Sequence, residues 1–249
     1  MKVVALVSGG KDSTYNMMKC VENGHEVVAL AHAHPPEDAE KEELDSFLFQ
    51  TVGSSAVRTI SECMELPFYH KEISGTAVTQ GLDYELTKGD ETEDLFLLLS
   101  EVKEKHPDIG AVSVGAIFSS YQANRVQHVC DRLGIQMLAY LWHREQVELL
   151  QEMVDSGVEA ILIKVASYGL GREDLGKTLR QMTPKLLTLS EKYGVHACGE
   201  GGEFESFTLD CPLFKKRIVI DESEVIVHSA DDVAPVVYLR INKVHTEPK

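Results

Sequence analysis

Over the first 141 residues, short runs of apolar, strand-favouring residues alternate with longer stretches whose apolar positions repeat at helical spacing. The runs fall at residues 3–7, 26–31, 68–73, 111–115 and 136–141, and the helical stretches at 13–23, about 44–65, 91–106 and 122–133. This alternation is what a parallel sheet covered by helices requires. It predicts an α/β domain over residues 1–141, built on a doubly wound five-stranded parallel sheet. Two polar stretches interrupt the rhythm. The first, A-H-P-P-E-D-A-E-K-E-E-L-D, is rich in proline and acids and reads as a loop. The second, residues 75–90, is long for a compact domain, which suits either a lid or partner-binding segment or a tolerated surface excursion.

Past residue 141 the pattern continues for one helix, a strand at 160–165 and a helical region at 173–193. It then changes to glycine turns and period-two alternation at 204–209, 217–220, 225–228 and 236–241. A second, smaller α+β domain is expected over residues 142–249. No repeat or low-complexity tract is visible.

Composition narrows the picture. The chain has 249 residues, 43% apolar and 26% charged, as a folded protein does. No run reaches the roughly 20 apolar residues of a membrane helix, and the N-terminus lacks a signal-peptide layout, so a cytoplasmic location is expected. Cys20, Cys63, Cys130, Cys198 and Cys211 form no C-x-x-C pair, which points to buried or idle thiols rather than disulfides or zinc. A formal net charge of −16 argues against broad contact with nucleic acid, whose affinity comes from Lys and Arg neutralising phosphates.

The strongest chemical signal follows the first strand, where residues 8–13 read S-G-G-K-D-S. Gly9 and Gly10 let the backbone approach an anion, and a helix starting near Lys11 aims unpaired N–H groups at it. Ser8 and Ser13 add hydroxyls, Lys11 adds a cation expected to be exposed, and the C-terminal strand end is where open α/β sheets bind ligands. The spacing matches neither G-x-x-x-x-G-K-[ST] nor G-x-G-x-x-G. The bland alternative is a serine-capped strand-to-helix turn.

A second signal is C-G-E-G-G-E-F-E-S-F-T-L-D at residues 198–210. Glu200, Glu203 and Glu205 lie among Gly201, Gly202, Phe204 and Phe207, and acids with aromatic rings suit a cation that cannot donate hydrogen bonds. On a strand, Glu203 and Glu205 would share a face with Phe204 opposite. The alternative is a glycine turn entering a core strand, with the glutamates solvated.

S-G-G-K-D-S resembles the pyrophosphate loop of the N-type ATP pyrophosphatases. That resemblance implies the adenine nucleotide alpha hydrolase-like (HUP) type of α/β fold and attack of a substrate oxygen on the α-phosphate of ATP. It assigns the phosphates to Ser8, Gly9, Gly10, Lys11, Asp12 and Ser13, and Mg²⁺ to Asp12. Together with E-G-G-E-F-E-S-F, and with G-D-E-T-E-D-L, G-A-I-F-S-S-Y-Q-A-N-R-V, L-A-Y-L-W and G-L-G-R-E-D-L-G-K, the chain is similar throughout to the diphthine–ammonia ligase family, the diphthamide synthetases. The resemblance implies amidation of the diphthine carboxylate on translation elongation factor 2 by ammonium, through an acyl-adenylate. The substrate's trimethylammonium agrees with the acidic and aromatic stretch.

On that basis adenine is expected near Leu30, Ala31 and His32, ribose near Gly115 and Ala116, and substrate contacts at Tyr121, Gln122, Arg125, Glu200, Gly201, Gly202, Glu203, Phe204 and Glu205. Lys11, Asp12, Glu200 and Glu203 are the expected catalytic set. For Arg125 an ordinary helix-surface role is the alternative. No glutaminase segment precedes the first strand, so free ammonium is the expected nitrogen source, and no further C-terminal domain of the kind some larger relatives carry is expected. Neither nucleic acid nor membrane is an expected partner. Two other functions remain open at this point: a transfer-RNA-modifying pyrophosphatase, disfavoured by the missing cysteine pairs and basic surface, and a nucleotide-binding regulator, disfavoured by the intact phosphate loop.

Overall fold

The protein's structure, a computed structural model, describes residues 1–36, 48–50, 52–230 and 234–249. Strands β1 (Lys2–Leu6), β2 (Glu26–His34), β3 (Phe68–Glu72), β4 (Ile109–Ser113) and β5 (Gln136–Leu138) form one parallel sheet in the order β3-β2-β1-β4-β5. They are joined by α1 (Lys11–Glu22), α2 (Arg58–Met64), α3 (Glu91–Lys105) and α4 (Ser120–Leu133). The order reverses at β1, so the connections leaving β1 and β4 diverge and open a crevice at their C-terminal ends. Helices α3 and α4 cover one face, packing Leu95, Leu98 and Val129 against Val4, Ala29 and Val112.

The second sheet is antiparallel, in the order β7-β6-β9-β8, from β6 (Glu159–Val165), β7 (Phe204–Asp210), β8 (Lys216–Ser229) and β9 (Val236–Pro248). Helix α5 (Gln146–Asp155) packs on α6 (Leu179–Tyr193), and α6 packs on β6. One core joins the two sheets: Ala5, Val7, Met17 and Val57 cluster with Leu162, Ile163, Phe207 and Val237. Helix α1 therefore lies against β7, which carries the second sequence signal into the crevice. Among the described residues no helix is long and apolar enough to cross a membrane.

Several boundaries differ from the sequence pattern. The helix expected at 44–65 lies partly outside the described residues; within them, Gly53 at φ 76° turns the chain, and only a 3-10 turn at Ser54–Ala56 and α2 are helical. Helix α6 begins at Leu179 rather than near 173, because Thr178 caps it in a reciprocal box with Gln181. The two strands expected at 217–220 and 225–228 are one, β8. The polar D-E-S-E between them hides the continuity, but pairing with β9 carries on through it with shifts in register near Glu222. All five cysteines are buried, and burial pushes the Cys198 and Cys130 thiols up to about 12, so neither is a thiolate at neutral pH.

Candidate active site

The crevice is a cavity of about 530 Å³, and both sequence signals line it. From the first half come Ser8, Lys11, Asp12, Ser13, Ala31, His32, Gly115, Ala116 and Gln122; from the second come Glu200, Gly201, Gly202, Phe204, Glu205 and Ser206.

Gly9 sits at φ 90°, and a Cβ there would lie 3.0 Å from the Phe207 ring, so the turn is pressed onto β7. The Gly9 carbonyl accepts from the Thr208 amide at 2.8 Å, and the Lys11 amide donates to Ser206 Oγ at 3.1 Å. Ser13 Oγ donates to the Gly10 carbonyl at 3.1 Å, and the Gly10 amide to Ser8 Oγ at 3.2 Å. The serines thus shape the loop, while the N-cap residue of α1, Gly10, supplies no side-chain cap. On the far wall, a Cβ on Gly115 would meet the Ser13 backbone nitrogen at 2.5 Å, so only glycine lets β4 approach the loop.

Lys11 is not the exposed cation the motif suggests. Its side chain is 3% exposed, and its ammonium donates to Asp12 Oδ2 at 2.8 Å and to the Cys198 carbonyl at 2.5 Å, 5.0 Å from the Phe204 ring centroid. Burial opposes the charge, but Asp12, helped by Cys198 and Glu200, offsets it and holds the lysine above its usual range. Asp12 Oδ1 is buried and has no hydrogen-bond partner among the described residues. That free oxygen fits a Mg²⁺ that keeps waters and phosphate oxygens and needs one carboxylate, as Mg²⁺ typically does; no group of three or more potential metal ligands occurs among the described residues.

The glutamates separate. Glu200 Oε1 accepts from the Phe118 and Ser119 amides, both at 3.0 Å, and so ties the second half to the start of α4. Glu205 lines the cavity with Oε1 3.1 Å from Lys164 Nζ. Glu203 lies outside the cavity: its oxygens accept from the His196 and Gly201 amides at 2.9 and 2.8 Å, bracing its own loop. The expected shared face of Glu203 and Glu205 is absent because β7 begins only at Phe204.

Arg125 neither contacts the cavity nor lies on the surface. It is fully buried, donates to the carbonyls of Thr79, Gly81 and Tyr121, and packs against the rings of Tyr121 and Tyr84 at 3.3 and 5.3 Å. It fastens segment 75–90, which Asp90 and Asp94 also bind at Thr79, Ser74 and Gly75. Tyr121 serves that clamp rather than the cavity. His32 donates or accepts at the Val7 carbonyl (2.8 Å) and Ser54 Oγ (2.7 Å); a carbonyl can only accept, so Nδ1 carries the proton. Burial pushes its pKa down to about 4. Leu30, expected near adenine, is buried in the core and does not line the cavity.

Sequence reasoning missed Ser119, Ser206 and Thr208. The last two stand at alternate positions on β7, and only their pairing with Gly9 and Lys11 gives them meaning.

Comparison with known proteins matches residues 1–137 to the family described as Diphthamide synthase N-terminal domain and residues 145–241 to Diphthamide synthase C-terminal domain. A diphthine–ammonia ligase from Mus musculus is 57% identical over 251 residues, covering 100% of this chain and 94% of that one. The Homo sapiens protein of that name is 55% identical with the same coverage, and the Schizosaccharomyces pombe one 54% identical over 97% of this chain and 39% of its own. A solved structure described as a predicted subunit of tRNA methyltransferase from Methanocaldococcus jannaschii is 15% identical at a TM-score of 0.33, covering 77% of this chain and 88% of that one, a likeness that bears on neither fold nor function. With both family domains matched along the chain and curated relatives above half identity, this chain belongs to the diphthine–ammonia ligase family.

Proposed function

We propose that this chain amidates the carboxylate of diphthine on translation elongation factor 2, with ATP and ammonium as co-substrates and AMP and pyrophosphate as products. The observation that carries the reading is the meeting, around one cavity, of the phosphate loop at residues 8–13 and the acidic stretch at 200–206.

In this reading ATP lies across the crevice. Adenine rests along Ala31 and His32, ribose against Gly115 and Ala116, and the phosphates on Ser8, Gly9, Gly10, Lys11, Asp12 and Ser13 at the N-terminus of α1. Asp12 Oδ1 would hold Mg²⁺, which supplies charge neutralisation for the phosphates. A carboxylate oxygen of diphthine bonds to the α-phosphorus as the bond to the bridging oxygen breaks. Lys11 and the loop amides, already oriented, stabilise the charge growing on pyrophosphate.

The trimethylammonium sits beside that carboxylate and can be held only by counter-charge and ring faces. Glu200, Glu205 and Phe204 provide these within the cavity. Ammonium then gives up a proton, for which Glu200 and Glu205 are the cavity carboxylates of this stretch. Its nitrogen bonds to the acyl carbon and AMP departs, carrying one carboxylate oxygen. Residues 142–249 are in this account the diphthine-recognition half, and Glu203, Gly201 and Gly202 shape its loop.

The test is to incubate the protein with ATP, Mg²⁺, ammonium and diphthine-bearing elongation factor 2. AMP and the amide, read by mass spectrometry, are expected in equal amounts. No AMP above a factor-free control contradicts the reading.

A further inference from the structure

One ring at the cavity rim is exposed and yet held in place. Phe118 follows β4, and its amide donates to Glu200, which lines the cavity; its neighbour Ser119 lines the cavity as well. The residue is 46% exposed, although it is one of the larger apolar side chains in the chain. Exposed apolar residues occur singly on every protein and need no explanation of their own. Phe118 differs because two other rings pack against it and a third backs one of them.

His143 stacks on it at 5.1 Å with an interplanar angle of 29°, and His196 stands nearly perpendicular at 6.1 Å. Trp142 packs on His143 at 4.7 Å. His143 itself adopts φ 59°, a left-handed conformation uncommon outside glycine, and its amide donates to the Ile117 carbonyl at 2.8 Å. Such backbone strain persists where the surroundings enforce it and clusters at ligand sites. Here it keeps an imidazole under Phe118. His196 takes the amides of Cys198 and Glu200 on Nδ1, at 3.2 and 3.4 Å, so the ring group is continuous with the acidic stretch.

We infer that Phe118 is a specificity-determining residue whose exposed face stacks on the imidazole of the modified histidine. The inference rests on the proposed function. The reacting carboxylate is carried on a short side chain attached to that imidazole, so when the carboxylate reaches the phosphate loop, the imidazole lies at the rim. An aromatic ring at the rim recognises a flat ring in offset stacking and reads it apart from the carboxylate and the cation. The His143–Phe118 stack then extends by one ring.

The test is steady-state kinetics with diphthine-bearing elongation factor for Phe118→Leu, Phe118→Ala and Phe118→Tyr, alongside direct ATP binding. The expected result is a rise of roughly 3- to 10-fold in KM for the factor in the Leu and Ala variants, the size of an aromatic pair contact. ATP affinity and kcat at saturation should stay within about 2-fold, and Phe118→Tyr should restore KM. Unchanged KM in Phe118→Leu, or equal loss of ATP binding, overturns the inference while leaving the proposed function standing. A wild-type protein that makes no AMP with the factor overturns both.

Discussion

Lys11 donates its ammonium to the Cys198 carbonyl at 2.5 Å, across a gap of 187 residues in sequence. The phosphate loop's cation is therefore held by the same stretch that supplies Glu200, Phe204 and Glu205 to the cavity. On the proposed reading, nucleotide site and acceptor site are one bonded unit.

Replacing Lys11 therefore costs stability as well as turnover. Lys11→Met leaves the Asp12 carboxylate and the Cys198 carbonyl without a donor in a buried place, a loss of about 1–3 kcal/mol. At roughly 2–4 °C per kcal/mol for a chain of this size, thermal unfolding should show it. Hydrogen exchange should rise at residues 196–202. An unchanged midpoint together with lost activity means that the lysine acts on phosphate alone.

Arg125 should govern segment 75–90 without touching the chemistry. Arg125→Lys keeps the charge but loses the planar fork that reaches Thr79, Gly81 and Tyr121 between two tyrosine rings. Limited proteolysis within 75–90 should quicken, and stability should fall by about 1–3 kcal/mol. Protection equal to wild type contradicts the clamp.

Gly115→Ala should weaken ATP binding in a chain that still folds. The added methyl would stand 2.5 Å from the Ser13 nitrogen and 2.7 Å from the Asp12 carbonyl carbon, so the loop backbone has to move off its place. Calorimetry should register a loss of at least about 10-fold, since a misplacement near 1 Å can cost up to about 100-fold at a preorganised site. Wild-type affinity would mean that the loop tolerates displacement.

His32 gives the fold an acid-side weakness. Its folded pKa of about 4 lies below the ordinary value of 6.5, so the unfolded chain binds the proton more readily. The stability from neutral, buried His32 is complete above pH 6.5 and is lost as pH falls toward 4. Denaturant melts should lose about 2–3 kcal/mol from this group between pH 7 and 4.5. His32→Gln should flatten the profile in that window, and an equal slope in both proteins argues against the assignment.

Much of this was legible in the sequence, for a physical reason. Strands buried on both faces must be apolar throughout, so residues 3–7, 26–31 and 111–115 stand out, and the strand ends place Ser8–Ser13 and Gly115 at the crevice. What stayed hidden depended on contacts distant in sequence. Lys11 reads as exposed until β7 and Cys198 close over it. Glu203 and Glu205 look equivalent until the strand start at Phe204 turns them to different sides. Arg125 has little local signal, since two of its three carbonyl partners lie 44 and 46 residues away.

The central claim is that a carboxylate of the acceptor attacks the α-phosphate of ATP in this cavity. It is tested most directly by labelling the diphthine carboxylate with ¹⁸O and following the label through one turnover. The account predicts one ¹⁸O in the phosphate of AMP, with the other kept in the amide. Label recovered in inorganic phosphate alongside ADP, or absent from AMP, would contradict it.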